Sequence, residues 1–345
     1  MKRRKIGIKI NIKKSPIPLI WIDTSIIIFM AKVKIGEKIE IKLKAKIQYL
    51  FDSIIEGRRK KKLLCPRADQ AEEFEMGERL ENECKDVQAD LSLNIAMRHR
   101  LTVEDYYVKT FMKAYVNGTE EIDLSYKCLF HHDPIIELDE KIKEKFIITV
   151  KFSTPKEILE AGKKSSEKAR LMYEDLRKDN VLKKVGFEQQ LERERTGTHD
   201  GLIIKAKNFL EKLKNNQPIE YCEILGINNI LYYLKLWEQY TGKRKDFQGL
   251  FKFFLSEYHY QIPKIEIELS LFARLLTGTT PIKPGDSMDI QQLSSVLPFF
   301  DLVITDKTRK SDIEYLGYHE KYGVQVMALK NFDIIKDFFT KQLCV

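Results

Sequence analysis

Long apolar runs are missing from this chain. The longest uninterrupted one, Ile26 to Ala31, has 6 residues, against about 20 for a membrane-spanning helix, so an integral membrane protein is not expected. Paired cysteines are missing too. Cys65, Cys84, Cys128, Cys222 and Cys344 are an odd number, scattered, with no Cys-x-x-Cys. That excludes a disulfide framework and a zinc ribbon, and points to a reducing cytoplasm. No Gly-x-Gly-x-x-Gly and no Gly-Lys-Ser/Thr loop occurs, which removes the dinucleotide enzymes and the P-loop ATPases. The histidines lack metal-ligand spacing, so His131, His132 and His259 read as structural or solvent-facing. The start, Met1 to Lys5, resembles the basic end of a signal peptide, but Lys9, Lys13 and Lys14 interrupt the apolar core such a peptide needs, and no export signal is expected.

What is present is charge, unevenly spread. Lys and Arg number 60 against 51 Asp and Glu, a net +9. Residues 1 to 62 hold 18 basic and 5 acidic residues, net +13, which leaves −4 for the other 283. A positive field gathered at one end is an electrostatic footprint for polyanions, because each neutralised phosphate releases counterions. Nucleic acid is therefore the expected partner.

The patterning reads as α/β at both ends. Residues 5 to 12 alternate with period two, as a half-buried strand does, and Pro18 to Ser25 is a continuous apolar run ending abruptly in Asp23, the pattern of a strand covered on both faces. Leu43, Ile47, Leu50, Phe51, Ile54 and Ile55 fall at helical spacing, with Gly57 as the expected C-cap, and Lys62 to Pro66 reads as a second strand. Near the other end, Pro284 to Leu297 reads as a helix and Asp301 to Asp306 as another apolar strand ending in an acid. Ser311 to Tyr322 (helix), Val324 to Leu329 (strand) and Phe332 to Leu343 (helix) follow. Residues 1–76 plus 276–345 are thus expected to form one doubly wound parallel sheet flanked by helices. Residues 77–275 read as a mostly α-helical inserted region. Its aromatics between Leu231 and Tyr260 could stack bases, although such a stripe is more often core.

In an open parallel sheet the carboxyl ends of the strands form the ligand crevice, so Asp23 and Asp306 are expected to point into one cleft. Asp69, Glu72 and Glu73 follow the second strand at the same edge. Asp286 and Asp289, three apart, share a face at the start of a helix. Clustered carboxylates either take up protons or bind a cation, and oxygen ligands without Cys or His favour Mg²⁺ or Mn²⁺. Each acid also has a plainer use: Asp23 and Asp286 could be helix caps. Asp301, at the wrong end of its strand, reads as structural.

The order Ile22-Asp23-Thr24-Ser25, then Glu73, then Pro284-Gly285-Asp286-Ser287-Met288-Asp289, then Ile304-Thr305-Asp306-Lys307 resembles the PIN-domain nucleases, a superfamily that includes the toxin ribonucleases of toxin–antitoxin pairs. The likeness covers only the two ends of the chain. It implies a PIN-like Rossmannoid sheet and a metal-dependent endonuclease, a ribonuclease rather than a DNA nuclease. Asp23, Glu73, Asp289 and Asp306 would be the catalytic, metal-holding acids, with Thr24 or Ser25, Asp286 and Thr305 in support. Lys307 and Arg67 would contact phosphate, and Mg²⁺ or Mn²⁺ would be the cofactor. Glu72 stands as the alternative to Glu73, and one metal or two stays open. Here no residue separates Thr305 from Asp306, a departure from the family's usual Thr-x-Asp.

The role the resemblance implies is a bacterial toxin, a defence effector or an RNA-processing enzyme, with the helical insertion free to recruit a protein partner or inhibitor. The alternative is a PIN-like module that lost its chemistry and only binds nucleic acid or protein. A haloacid-dehalogenase-like phosphatase is disfavoured, since it needs an acid two residues after Asp23 and Ser25 stands there.

Overall fold

A computed structural model describes residues 7–68, 80–144, 155–219 and 221–344. The chain divides into two compact units. One is α/β and comprises Ile12–Val103, Leu124–Asp175 and Thr279–Val345; the other is mainly helical and comprises Met1–Asn11, Glu104–Asp123 and Leu176–Gly278. The sequence placed its divisions at 76 and 275, whereas residues beyond 80 and around 130 pair with the sheet of the α/β unit. Among the described residues no helix is long and apolar enough to cross a membrane.

Elements are numbered here within the α/β unit. Its centre is three short parallel strands in the order β1 (Ile20–Ile22), β2 (Leu302–Ile304) and β3 (Gln325–Met327). Ile22 stands opposite Ile304, and Ile304 opposite Met327. Single parallel bridges extend the sheet on the far side of β1, from Leu19 to Leu64 and from Arg67 to Ala96, and an antiparallel bridge joins Met97 to Phe130. Backbone groups of a strand point alternately to its two neighbours. Leu64 therefore bonds toward β1, through Leu64 N–H to Pro18 O at 3.0 Å and Ile20 N–H to Leu64 O at 2.9 Å. Arg67, an odd number of residues on, bonds away from it, to Ile95 and Met97. The expected second strand over 62–66 is thus two bridges either side of Pro66, which has no N–H to give a ladder.

The apolar run of β1 is what makes it central. Ile20 and Ile22 face the same way as Leu302 and Ile304, and this face is sealed by α1 (Thr24–Lys34), α2 (Ile41–Arg59) and α3 (Glu81–Ser92), with α4 (Pro134–Lys143) lying further along the chain. Trp21 and Val303 alternate to the opposite face and are buried as well. Then follow α5 (Asp286–Val296), α6 (Lys307–Tyr315) and α7 (Phe332–Cys344), the last adding Ile335, Phe338 and Phe339 to the core.

Two local expectations are corrected. Gly57 does not end α2, which runs on to Arg59. A Cβ at Gly57 would lie 2.5 Å from the Leu63 side chain, so the position is small because the next segment packs on it. The helix expected over 311–322 begins earlier, at Lys307, and breaks at Gly317 (φ +71) into a second short helix, Tyr318–Lys321.

The helical unit holds Phe187–Lys214, Tyr221–Thr241, Phe247–Phe254 and Pro263–Thr277. Residues 7–11 belong here rather than with the sheet, Lys9 and Asn11 bonding to Glu121 and Asp123. Trp237, Phe253, Phe254, Tyr258 and Tyr260 are buried, so half of the aromatic stripe is core, while Tyr232 and Phe247 are exposed.

Candidate active site

The chain runs from β1 through α1 and α2 to the Leu64 segment, on one side of β1. It later returns to β2 on the other side. The boundary between β1 and β2 is therefore the topological switch point, where the flanking connections part and leave a crevice at the carboxyl ends of the strands. Asp23 ends β1 and Thr305-Asp306 ends β2.

Asp23 extends the ladder by one residue, its N–H donating to Ile304 O over 2.8 Å, then turns the chain into α1 as its N-cap. Oδ1 accepts from the Ser25 amide at 2.8 Å and the Ser25 hydroxyl at 2.6 Å. Oδ2 accepts from the Thr305 hydroxyl at 3.2 Å. The side chain is buried, and burial pushes its carboxyl above the ordinary range. The Ser25 hydrogen bonds oppose this, the neighbouring charge of Asp306 adds to it, and the Thr305 bond opposes it. Thr305 thus has a defined role as a donor to Asp23.

Asp306 is the N-cap of α6. One oxygen, Oδ1, takes the amides of Thr308 at 2.6 Å and Arg309 at 3.0 Å, which leaves Oδ2 outside the cap. Both acids therefore sit at helix N-termini, where open backbone N–H groups and the partial positive charge of the helix dipole gather. Lys307, the next residue, is exposed at the same end. Ser25 is exposed and Thr24 half-buried in the first turn of α1.

The two acids of α5 differ. Asp289 is half-buried in the first turn. Asp286 is buried with both oxygens in use: Oδ2 accepts from the Lys283 amide at 2.7 Å, and Oδ1 pairs with Arg309 at 3.0 Å. The helix cap is Gly285, not Asp286, so the Asp286 carboxylate anchors the turn instead of closing the helix end. Asp301, as the sequence suggested, lies at the opposite end of β2, where it accepts from Leu19 N–H at 2.9 Å and pairs with Lys14.

Glu73, with its alternative Glu72 and the neighbouring Asp69, lies outside the described residues. Among the described residues no group of three or more His, Cys, Asp and Glu side chains could hold a metal ion. Asp23 and Asp306 are the two acids brought together.

Cations line the same edge. Arg67 is half-buried where the Leu64 segment meets Ala96, and Arg98 and Arg100 follow the carboxyl end of that next segment. Arg100 bonds Gln291 of α5 at 3.0 Å. Sequence reasoning passed over Arg98, Arg100 and Arg309. For Arg309 a signal exists: Asp306, Arg309 and Asp312 are spaced three apart, on one helical face.

No protein-family model, curated protein or solved structure was found that matches this chain.

Proposed function

We propose that this protein is a divalent-metal-dependent nuclease that hydrolyses phosphodiester bonds, in RNA before DNA. The observation that carries the proposal is the meeting of Asp23 and Asp306 on adjacent parallel strands at the switch point of the sheet. The donor set fits a hard cation: carboxylate oxygens, with no sulfur or imidazole beside them. Asp23 and Asp306 would hold Mg²⁺ or Mn²⁺, completed by Asp289 and by Glu73 from the segment after the Arg67 bridge. Bound there, the ion would ionise a water and offset the charge on the departing oxygen. The chain's own residues do the rest. Ser25 and Thr305 hold the Asp23 oxygens in place, while the amides that open α1 and α6, with Lys307, Arg67 and Arg98, offer positive charge to the phosphates. The strand order and the acids at its edge support a PIN-like reading of the α/β unit.

A second reading rests on a specific observation. Both acids already cap helices, and the described residues contain no three-acid cluster, which is what a sheet edge that binds nucleic acid without cutting it would show.

One experiment separates them: incubation of the purified protein with labelled single-stranded RNA, single-stranded DNA and duplex DNA, with Mn²⁺, Mg²⁺ or chelator. The nuclease reading expects metal-dependent cleavage, strongest on RNA, that falls by at least about 100-fold in Asp23→Asn and Asp306→Asn, at the upper end of what losing a ligand's partner costs. It also expects Mn²⁺ to stabilise the fold by about 2 to 3 kcal/mol at 100 times its dissociation constant. Binding without cleavage, unaffected by metal, supports the second reading and ends the first.

A further inference from the structure

Arg309 is 2% exposed, and its hydrogen bonds reach Asp286, Asp306 and Asp312. One guanidinium nitrogen, Nη2, donates to Asp286 at the start of α5, and the other, Nη1, donates to Asp312 within α6, each at 3.0 Å. Its backbone amide donates to Oδ1 of Asp306 at 3.0 Å. A single residue therefore ties the first turn of α5, which carries Asp289, to the first turn of α6, which Asp306 caps.

The geometry is one that lysine cannot reproduce. A guanidinium is planar and presents its donors as a fork, whereas an ammonium is a point charge. The fork fixes both the separation and the direction of two carboxylates on different helices, whereas a point charge fixes no direction. Burying three charged groups is costly unless they satisfy one another, and replacing such a set by apolar side chains is often neutral for stability. Its place at the base of α5 and α6 therefore suggests a geometric use.

We propose that Arg309 is the positioning residue of the site, fixing Asp289 relative to Asp306 by clamping the Asp286 turn against α6. The inference rests on the nuclease reading and deepens it. Arg309 touches neither metal nor substrate. It sets the separation of two of the acids, as groups behind a metal ligand orient it elsewhere, at about 10- to 100-fold in affinity or activity when they are lost.

The test uses the full chain as wild type, Arg309→Lys, Asp286→Asn and the double variant. It measures the thermal midpoint in chelator, Mn²⁺ affinity by electron paramagnetic resonance, and kcat and KM on single-stranded RNA. Arg309→Lys and Asp286→Asn are each expected to weaken Mn²⁺ binding and lower kcat by about 10-fold or more, with KM within about twofold. The double variant should be no worse than the poorer single one, because both break the same clamp. If the folded Arg309→Lys protein keeps wild-type Mn²⁺ affinity and kcat while only its thermal midpoint falls, the residue is structural and the proposal is overturned. Should Arg309→Lys not fold, Asp286→Asn decides by the same readouts. If the wild type itself neither binds Mn²⁺ nor cleaves RNA, the nuclease reading fails first and the positioning role fails with it.

Discussion

The Thr305 hydroxyl donates to Oδ2 of Asp23 over 3.2 Å, joining the ends of β1 and β2 across 282 positions of sequence. The register makes this bond: with Ile22 opposite Ile304, the next residue on each strand is its neighbour's partner. Asp23 is buried and has Asp306 close by, so this bond and the two from Ser25 are what make its ionised form tolerable.

Thr305→Val keeps the shape and removes the donor. Hydrogen bonds to charged groups contribute about 1.5 to 3 kcal/mol, so urea unfolding in chelator at pH 7.5 should show a loss of that order. Thr305→Ser should lose much less. The loss should also vanish in an Asp23→Asn background, where the charge is gone. An equal loss in both backgrounds would show that Thr305 matters only for packing.

Asp23 itself should cost the metal-free protein stability at neutral pH. Its folded carboxyl titrates above the ordinary range, chiefly through burial. The stability linked to the proton is therefore complete below the unfolded value and is lost as the pH rises through the raised folded value. Asn keeps an oxygen for the Ser25 amide and is a good N-cap. In chelator at pH 7.5, Asp23→Asn is expected to melt higher than wild type, at roughly 2 to 4 °C per kcal/mol relieved. The gap should close as the pH is lowered toward the ordinary carboxylate range. A lower melting point for the variant at pH 7.5 would contradict the sign.

Much of this was legible in the sequence because β1 and β2 are apolar without interruption and each stops at an acid. Such runs can only be central strands, and central parallel strands place their ends at one edge. The cap at Asp23 followed from Asp before Thr-Ser, whereas the cap at Asp306 did not, because the helix after β2 was expected to start only at Ser311. The Leu64 and Ala96 segments were less legible, since isolated bridges rather than ladders hold them and Ile95 to Met97 lies in a stretch that reads as helical. Arg309 was legible only through its spacing between Asp306 and Asp312: a cation on a short polar helix is usually solvated, and the fold shows that this one is buried between Asp286 and Asp312. Gly57 was misread because a glycine late in a helix looks like a stop, while the reason for it lies in Leu63, six residues on.

Gly57→Ala tests that reading of the glycine. Alanine is the better helix former by about 1 kcal/mol, so at an open helical site the change would stabilise. Here the new methyl would sit 2.5 Å from two carbons of Leu63, which is itself fully buried beside the bridge to β1. Overpacking of this kind costs about 1 to 3 kcal/mol, and a net loss is expected on urea denaturation. Leu63→Val in the Gly57→Ala background should recover part of it, whereas a stabilised single variant would show that the segment can move away freely.

His259 gives the helical unit a pH dependence of its own. The ring is 4% exposed and lies edge-on to Phe253 at 5.7 Å, Phe254 at 5.1 Å and Tyr260 at 5.8 Å between centroids. Burial pushes its pKa down to about 4, against about 6.5 in an unfolded chain. Between those values the unfolded chain binds a proton that the folded one refuses. Stability is complete above pH 6.5 and falls as the pH drops toward 4, by up to about 1.4 kcal/mol per unit. His259→Phe places a ring of similar size among the same aromatics and cannot titrate. Urea midpoints at pH 7 and pH 5 should show wild type losing about 1 to 2 kcal/mol more than the variant across that interval. Parallel losses in the two proteins would mean that this imidazole takes up its proton equally in both states, and that its burial has no energetic consequence in this range.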